Sequence, residues 1–433
     1  MILKIRERLI YFSEAVHLKI FGHEMSNEMR DFIKNLSWSF FGGIIAAVVM
    51  FAINIFAGRL LGPVEYGKYN YLLSLATATA FIFLLGNNLS GVRYISDKKY
   101  NDKKNSILTA AFVMSLVQAT VFLIVIVLLS GFIANHFNFD KKIVYLIFVL
   151  GFVLSFKDLF DSFLRALNLI KKQSLFKIVD ATIVAILFFM LLYFFKKEFS
   201  YFDYVYALMS GGVFSIVALF YSIRKNIVKF KWEQVFLLLH YNKFLIFAAM
   251  GGFIIGLDKV FIGKYIGTES LGIYSAYYAA SQLVMINFVI IFMNIFWPAT
   301  INNKHNIREI VKKVNTIIFK FFPFFVGVNF LSIYFIVLLF GKQYPMQFTW
   351  VLLFAFSSIF SIIFYIFLNL LNIDRIARSI VVSLICYSLV ILSIIVFKNI
   401  VVYLIFQIIV YWIAIYYIKK VLMAENEKAL SYH

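Results

Sequence analysis

The chain has 433 residues, of which 63% are hydrophobic and only 14% are charged, and its formal net charge is +20. Soluble globular domains are about half apolar and about a quarter charged, so this composition excludes a water-soluble protein. The basic residues are spread over seven short segments rather than gathered in one domain. That distribution favours attraction to anionic lipid headgroups over nucleic-acid binding, and no nucleic-acid partner is predicted.

Residues 1–35 are predicted to form a cytoplasmic amphipathic extension. Apolar side chains recur at helical spacing from Ile2 to Ile20, with charged residues between them, as in a helix that lies at the membrane surface. Because charges interrupt the segment throughout, it lacks the apolar core of a signal peptide. A poorly ordered extension is the alternative interpretation.

About twelve membrane-spanning helices follow the extension. The apolar residues occur in runs of about twenty, the length that a helix needs to cross about 30 Å of hydrocarbon. A membrane-spanning barrel would instead show alternating segments of about ten residues. We therefore predict an all-α polytopic membrane protein. Its spans are placed at 38–57, 70–92, 107–133, 143–164, 176–195, 204–223, 243–263, 271–297, 317–340, 346–371, 376–397 and 400–418.

The loops between the spans differ in charge on the two sides of the membrane. The N-terminal segment, every second loop with the adjoining span ends, and the residues after span twelve, which include the tail 421–433, together hold 30 Lys and Arg, and the opposite loops hold 9. Lys157 and Lys259 fall within spans. The positive-inside rule places the basic side, and with it both termini, in the cytoplasm.

The two halves of the chain repeat each other. The turn 58–69 matches 263–274 at an offset of 205 residues, with Arg59 opposite Lys264, and 163–171 matches 367–375 at an offset of 204. Two independent matches at nearly one offset indicate an internal duplication.

The duplication predicts two six-helix lobes, at 36–235 and 241–420. An even number of spans separates them, so they share one orientation and are related by an axis along the membrane normal, with a path between them. This arrangement is typical of a transporter.

The sequence contains few groups from which an enzyme site could be built. No phosphate-binding Gly-x-x-x-x-Gly-Lys-Ser/Thr loop occurs, the six histidines show no ligand spacing, and Cys386 is the single cysteine. We therefore predict no metal, no cofactor and no catalytic residue. No external loop exceeds about a dozen residues, which disfavours a membrane-bound glycan polymerase or acyltransferase.

One turn and several scattered residues resemble a known family. The turn after span one reads Arg59-Leu60-Leu61-Gly62-Pro63, then Glu65-Tyr66-Gly67 and Tyr69. It resembles the signature of the Wzx-type flippases of O-antigen and capsule repeat units, in the multidrug/oligosaccharidyl-lipid/polysaccharide (MOP) superfamily. Asp258 with Gly267, Gly272 and Tyr274 resembles the seventh helix of that family and the turn after it.

The resemblance implies a flippase of the bacterial inner membrane that works by alternating access coupled to an ion. Its implied cargo is an undecaprenyl-pyrophosphate-linked oligosaccharide, and its implied partners are membrane lipids, a glycan polymerase and a chain-length regulator. A cation-coupled multidrug exporter of the same superfamily, which would favour acidic over basic cavity residues, and a surface-glycan polymerase remain alternatives.

Charged side chains inside spans or at their ends are the candidate site residues, because a charge in the hydrocarbon costs about 2.5–3.5 kcal/mol to insert unless it has a partner or a purpose. The candidate substrate-binding residues are Lys259, Arg165, Arg59, Lys264 and Lys157, and the candidate ion-coupling residues are Asp258, Asp158, Asp161 and Asp180. Internal ion pairs, and anchoring of helix ends at the outer headgroups by Arg59 and Lys264, are the alternative interpretations. Arg93 and Lys177 are interpreted as ordinary interfacial cations.

Overall fold

The structure is a computed structural model that describes residues 27–137, 140–194, 199–282 and 307–424, and its regular structure within these ranges is helical. The helices are α1 (Asn27–Leu84), α2 (Asn87–Ser96), α3 (Lys104–Phe137), α4 (Lys141–Ala166), α5 (Ile170–Phe194), α6 (Tyr201–Ile223), α7 (Trp232–Gly256), α8 (Asp258–Tyr265), α9 (268–282), α10 (Ile307–Phe340), α11 (Phe348–Asp374), α12 (Ile376–Phe397) and α13 (Ile400–Ala424). Most of the predicted extension 1–35 and most of the tail 421–433 lie outside the described residues.

Nine segments of the described chain are long and apolar enough to cross a membrane. The first of them, Phe41–Leu84, contains most of predicted span one and most of span two. Predicted span seven is divided between α7 and α8, and predicted span eight begins in α9 and continues past the described residues. The all-α polytopic membrane class is therefore confirmed.

The predicted turn between spans one and two is shorter than expected, because two helices meet at a break confined to Gly62 and the rest of 58–69 is helical. Gly62 has φ 69° and ψ 173°, a conformation that glycine adopts without steric cost. Pro63 follows, and proline suits the first position of a helix because it has no N–H to leave unpaired. Gly267, the equivalent of Gly62 in the second half, also has positive φ, at 125°. The sequence repeat is thus accompanied by a repeated backbone feature.

The chain forms two compact units. The first unit comprises the described residues up to Asn54 together with Ala80–Gly131 and Phe148–Lys243. The second comprises Ile55–Thr79, Phe132–Ile147 and the described residues from Phe244 onward. These units differ from the predicted lobes in that two segments from the first half belong to the second unit. The lobes were predicted from the sequence repeat, which reflects duplication of the chain. The compact units reflect which helices pack together, so the two divisions need not coincide.

Two helices at equivalent positions of the repeat lie deepest in the protein. Half of the most apolar window of α4 is buried, and the corresponding share in α11 is 56%, the largest values among the described spans. In α4 the buried face carries Phe156, Phe160 and Phe163. In α11 the ring of Phe364 stacks on that of Tyr411 with centroids 4.8 Å apart. The functional candidates on or beside these helices are therefore held by a packed core.

Candidate functional site

Charged residues of α4, α5 and α6 meet inside the first unit. Lys157 on α4 donates a hydrogen bond to one carboxylate oxygen of Asp180 on α5. The hydroxyl of Ser215 on α6 donates to the other oxygen of the same carboxylate, at 2.6 Å. Asp180 is buried. The structure therefore brings Asp180 to face the charges of span four, and it joins three helices through one carboxylate.

The two acidic residues of α4, Asp158 and Asp161, have different partners. Asp158 accepts a hydrogen bond from the amide of Asn88 at 2.5 Å. Asp161 accepts one from the amide of Gln173 at 2.8 Å, and Lys177 Nζ lies 3.7 Å from the same oxygen. The interpretation of Lys177 as an ordinary interfacial cation is therefore wrong, because its ammonium group reaches this cluster from α5.

These residues line a cavity of about 230 Å³. Its lining residues are Leu154, Lys157, Asp158, Asp161, Phe176, Lys177, Asp180, Ser215 and Leu219. Three carboxylates and two ammonium groups thus share the cavity with apolar and aromatic side chains. We call this set the first-unit cavity. Such a mixture supplies donors, acceptors and apolar surface together, which is typical of small-molecule sites.

Arg165 does not line the first-unit cavity, although it lies on the same helix and its charge acts on the Asp158 carboxylate. Its guanidinium donates to the hydroxyl of Ser162, one turn earlier, at 2.9 Å, and its side chain is exposed. Arg165 is therefore available to a ligand at the end of α4.

Asp258 lies at a break in predicted span seven. The helix α7 ends at Gly256 and α8 begins at Asp258, with Leu257 between them. The buried Asp258 carboxylate accepts hydrogen bonds from the backbone N–H of Lys259 and from the hydroxyl of Tyr274, each at 2.6 Å. These two hydrogen bonds stabilise the buried carboxylate inside the second unit without a direct ion pair.

Lys259 has an aromatic neighbour in addition to Asp258, the carboxylate next to it in the chain, which interacts with it electrostatically. Its ammonium nitrogen lies 4.6 Å from the centre of the Tyr278 ring, within the range of a cation–π contact. None of the ion pairs in the described parts of the chain includes Lys259. Its charge is therefore open to an anionic ligand, in contrast to that of Lys157.

A small polar cavity of about 40 Å³ adjoins Asp258 in the second unit. Its lining residues are Asp258, Tyr274, Tyr278, Ser281, Gln282, Phe354, Ser357, Ser358, Ser361, Tyr403, Leu404 and Gln407. The volume is sufficient for a water molecule or a small cation. Sequence reasoning missed Tyr278, Tyr403 and Gln407, although Tyr403 and Gln407 are one helical turn apart in an otherwise apolar span.

The two cations at the repeated turns lie elsewhere. The side chain of Arg59 lies beside Gly341, and Lys264 Nζ is 3.0 Å from the ring nitrogen Nε2 of His136. Both cations are exposed, and neither lines either cavity. Within the described ranges, no group of three or more His, Cys, Asp or Glu could hold a metal ion.

The fold is similar to that of several membrane transporters of known structure. The structure is similar to an inward-facing multidrug resistance MATE family transporter, with TM-score 0.62 at 10% identity over 88% of this chain and 96% of that one. It is also similar to the lipid II flippase MurJ in its inward closed conformation, with TM-score 0.65 at 15% identity over 87% of this chain and 86% of that one. A MOP superfamily transporter from Pyrococcus furiosus gives TM-score 0.62 at 10% identity, over 90% and 96% of the two chains.

The family is shown by the sequence itself. Residues 32–300, more than half of the chain, match the model of the family described as polysaccharide biosynthesis protein. The chain belongs to this family and is a multi-pass membrane protein. A comparison with curated proteins returns no match.

Proposed function

We propose that the protein is a flippase, not an enzyme, that moves an undecaprenyl-pyrophosphate-linked oligosaccharide across the bacterial inner membrane. The cargo is a repeat unit of O-antigen or capsule, which passes from the inner to the outer leaflet by alternating access coupled to an ion. Membrane lipids surround the protein, and a glycan polymerase and a chain-length regulator act on the delivered units. Membership of a polysaccharide biosynthesis family and the MOP fold support this proposal.

The first-unit cavity is the observation that carries the proposal. An unpaired polar group costs about 2–7 kcal/mol in an apolar medium, so a sugar with several hydroxyls cannot cross hydrocarbon unaided. The cavity offers carboxylate, ammonium and hydroxyl groups inside a bundle of membrane-spanning helices. Asp158 has one neutral amide partner, and the oxygens of its exposed carboxylate can accept hydrogen bonds from sugar hydroxyls.

The pyrophosphate requires cations that are not consumed by ion pairs. Neither Lys259 nor Arg165 forms a direct ion pair in the described chain: Lys259 lies over an aromatic ring beside Asp258, and Arg165 donates a hydrogen bond to a neutral hydroxyl. We therefore assign pyrophosphate contact to Lys259, with Arg165 as a second contact at the predicted cytoplasmic end of α4. An arginine can bind phosphate with two hydrogen bonds, whereas a lysine acts as a point charge. Lys157 instead holds Asp180, and Arg59 and Lys264 attract the headgroup at the predicted outer surface.

The acidic residues are proposed to carry the coupling ion. Asp258 adjoins a polar cavity large enough for a small cation, and its carboxylate has two donors. Asp158, Asp161 and Asp180 form the corresponding acidic set of the first unit. Binding of a cation at either set changes the cost of burying the carboxylates, and this change can bias the transporter between two conformations.

Deletion of the gene tests the proposed cargo. Long surface polysaccharide is expected to disappear, while lipid-linked repeat units accumulate in the membrane, and a plasmid copy restores the glycan. Gel analysis of surface polysaccharide and mass spectrometry of extracted lipids measure both effects. The first-unit cavity holds more carboxylates than ammonium groups, which also suits a cation exporter. Normal glycan together with altered drug sensitivity would contradict the flippase and support the exporter.

The orientation of the chain is part of the same proposal, and it rests on the 30-to-9 division of Lys and Arg. A reporter enzyme fused after His433 is expected to be active only if it works in the cytoplasm. A reporter inserted near Lys141 is expected to be active only outside. An external C-terminus would contradict the even number of spans.

A further inference from the structure

Two equivalent turns of the repeat pack against each other inside the second unit. We call 62–67 the first turn and 267–272 the second turn. A methyl group added to Gly67 would lie 1.7 Å from the carbonyl oxygen of Thr268. One added to Gly272 would lie 1.9 Å from the carbonyl oxygen of Pro63. In each case the space of a side chain is occupied by the backbone of the other turn.

The Gly67–Thr268 and Gly272–Pro63 contacts are equivalent under the sequence repeat. Gly67 and Gly272 are equivalent at the offset of 205 residues, and so are Pro63 and Thr268. The glycine of each turn therefore receives the carbonyl of the other, as equivalent surfaces do across a two-fold axis. Because the obstructing atoms belong to the backbone, they cannot rotate away as a flexible side chain would. Any residue larger than glycine must push the turns apart.

Aromatic side chains fill the space around the first turn. The hydroxyl of Tyr344 donates to the carbonyl of Gly58 at 2.8 Å. Tyr66 is fully buried, and its ring centre lies 5.7 Å from that of Phe340 and 6.3 Å from that of Tyr344. The contact between the turns is thus part of a packed region.

We propose that the paired turns are a gate at the predicted outer end of the transport path. With Gly67 and Gly272 in contact, the outer ends of the helices that they join are held together and the path is closed on that side. When the turns separate, the two carbonyls that they bury can accept hydrogen bonds from water. This inference rests on the proposed transport function and orientation, and it assigns the glycines a role in closure instead of cargo binding.

Substitution of the two glycines tests the gate without reference to the cargo. Gln282 lies ten residues beyond Gly272, about 15 Å along α9 at 1.5 Å per residue, and it lines the second-unit cavity. The native cysteine is first removed by Cys386→Ser, and Gln282→Cys is introduced as a reporter. Intact cells are then treated with a membrane-impermeant maleimide, which labels the reporter only if it is accessible from outside. We expect several-fold more labelling in Gly67→Ala and in Gly272→Ala. The double variant should gain no more than either single one, because both break one contact.

Gly327→Ala and Gly43→Ala are the matched controls, since nothing lies within 4 Å of a methyl group at either position. Their labelling is expected to equal that of the parent. Unchanged labelling in both gate variants, at normal protein levels in the membrane, would overturn the gate. Increased labelling in the gate variants, together with unchanged surface glycan when the gene is deleted, would support the gate and contradict the proposed cargo.

A crosslink covers the case in which the alanine variants do not fold. Pro63→Cys and Thr268→Cys place thiols on the two turns without adding an atom at either glycine. A short bifunctional thiol reagent is expected to join them and to stop export of long surface glycan, whereas each single cysteine variant treated in the same way continues to export. In a deletion strain whose export depends on the plasmid copy, continued export by fully crosslinked protein would overturn the gate, whereas export that does not depend on the plasmid copy would contradict the proposed cargo.

Discussion

Replacing Lys259 with alanine is expected to abolish export of surface polysaccharide, whereas Lys259→Arg keeps part of it. The ammonium group lies over the ring of Tyr278 and has no ion pair in the described chain, so the proposal gives it to the pyrophosphate. A hydrogen bond to a charged group contributes about 1.5–3 kcal/mol, which corresponds to roughly a 10- to 100-fold loss of rate. Arginine preserves the charge and changes only its geometry. The amount of long-chain glycan per cell measures the effect.

Two further variants separate substrate contact from charge balance at this position. If Lys259 only offsets the charge of Asp258, removing both charges in Lys259→Ala with Asp258→Asn should restore function, because the buried cost disappears with the pair. Full glycan export by that double variant would contradict the substrate role. Tyr278→Phe is the matched control, since it keeps the aromatic ring under the ammonium group, and it is expected to retain export.

Replacing Lys157 with alanine is expected to destabilise the first unit strongly. Asp180 would then be buried with only the hydroxyl of Ser215 as a donor. Removal of one partner of a fully buried pair costs about 3–5 kcal/mol, and a smaller loss is expected here because 34% of the Lys157 side chain is exposed. The melting temperature of the purified protein in detergent should therefore fall by several degrees, and the amount of protein in the membrane should fall as well. A melting temperature equal to that of the parent would contradict a stabilising role for the pair.

Lys177→Ala is the control for this substitution. Lys177 lies 3.7 Å from the carboxylate of Asp161, and 43% of its side chain is exposed. Exposed pairs contribute about 0–1 kcal/mol, so a small change in stability is expected. Lys157→Met with Asp180→Leu removes both charges and should recover the stability. If the first-unit cavity binds sugar, this stable variant is expected to lose export. Full export would show that the Lys157–Asp180 pair stabilises the fold and does not contact the cargo.

The architecture could be predicted because its signals are strong and local. Apolar runs specify helices that cross the membrane, and the repeated turn 58–69 indicated the duplication. The same reasoning placed a connection over 58–69, whereas the two helices within α1 meet at Gly62 alone, because a Gly-Pro pair ends one helix and starts the next within two residues. It did not predict that 55–79 belongs to the second unit, since packing between distant segments leaves no local pattern in the sequence.

The candidate site could be predicted only in part. Lys157, Asp158, Asp161 and Asp180 stand out because charges are rare in apolar spans. Their partners Asn88 and Ser215 are 70 and 35 residues away in the chain, and neutral polar residues are common in membrane helices. Lys177 was misread because it lies close to the end of its span, where an interfacial lysine is the usual explanation. The contact of Tyr278 with Lys259 could not be predicted, because it depends on the packing of α8 beside α9 after the break at Leu257.

The measurement that tests the flippase most directly is the leaflet in which the lipid-linked oligosaccharide resides in cells that lack the gene. Spheroplasts of the deletion strain and of the complemented strain are treated with a membrane-impermeant reagent that modifies sugars. We predict that the lipid-linked unit is protected in the deletion strain and becomes modified when the protein is present, but not when it carries Lys259→Ala. Equal modification with and without the protein would contradict the account.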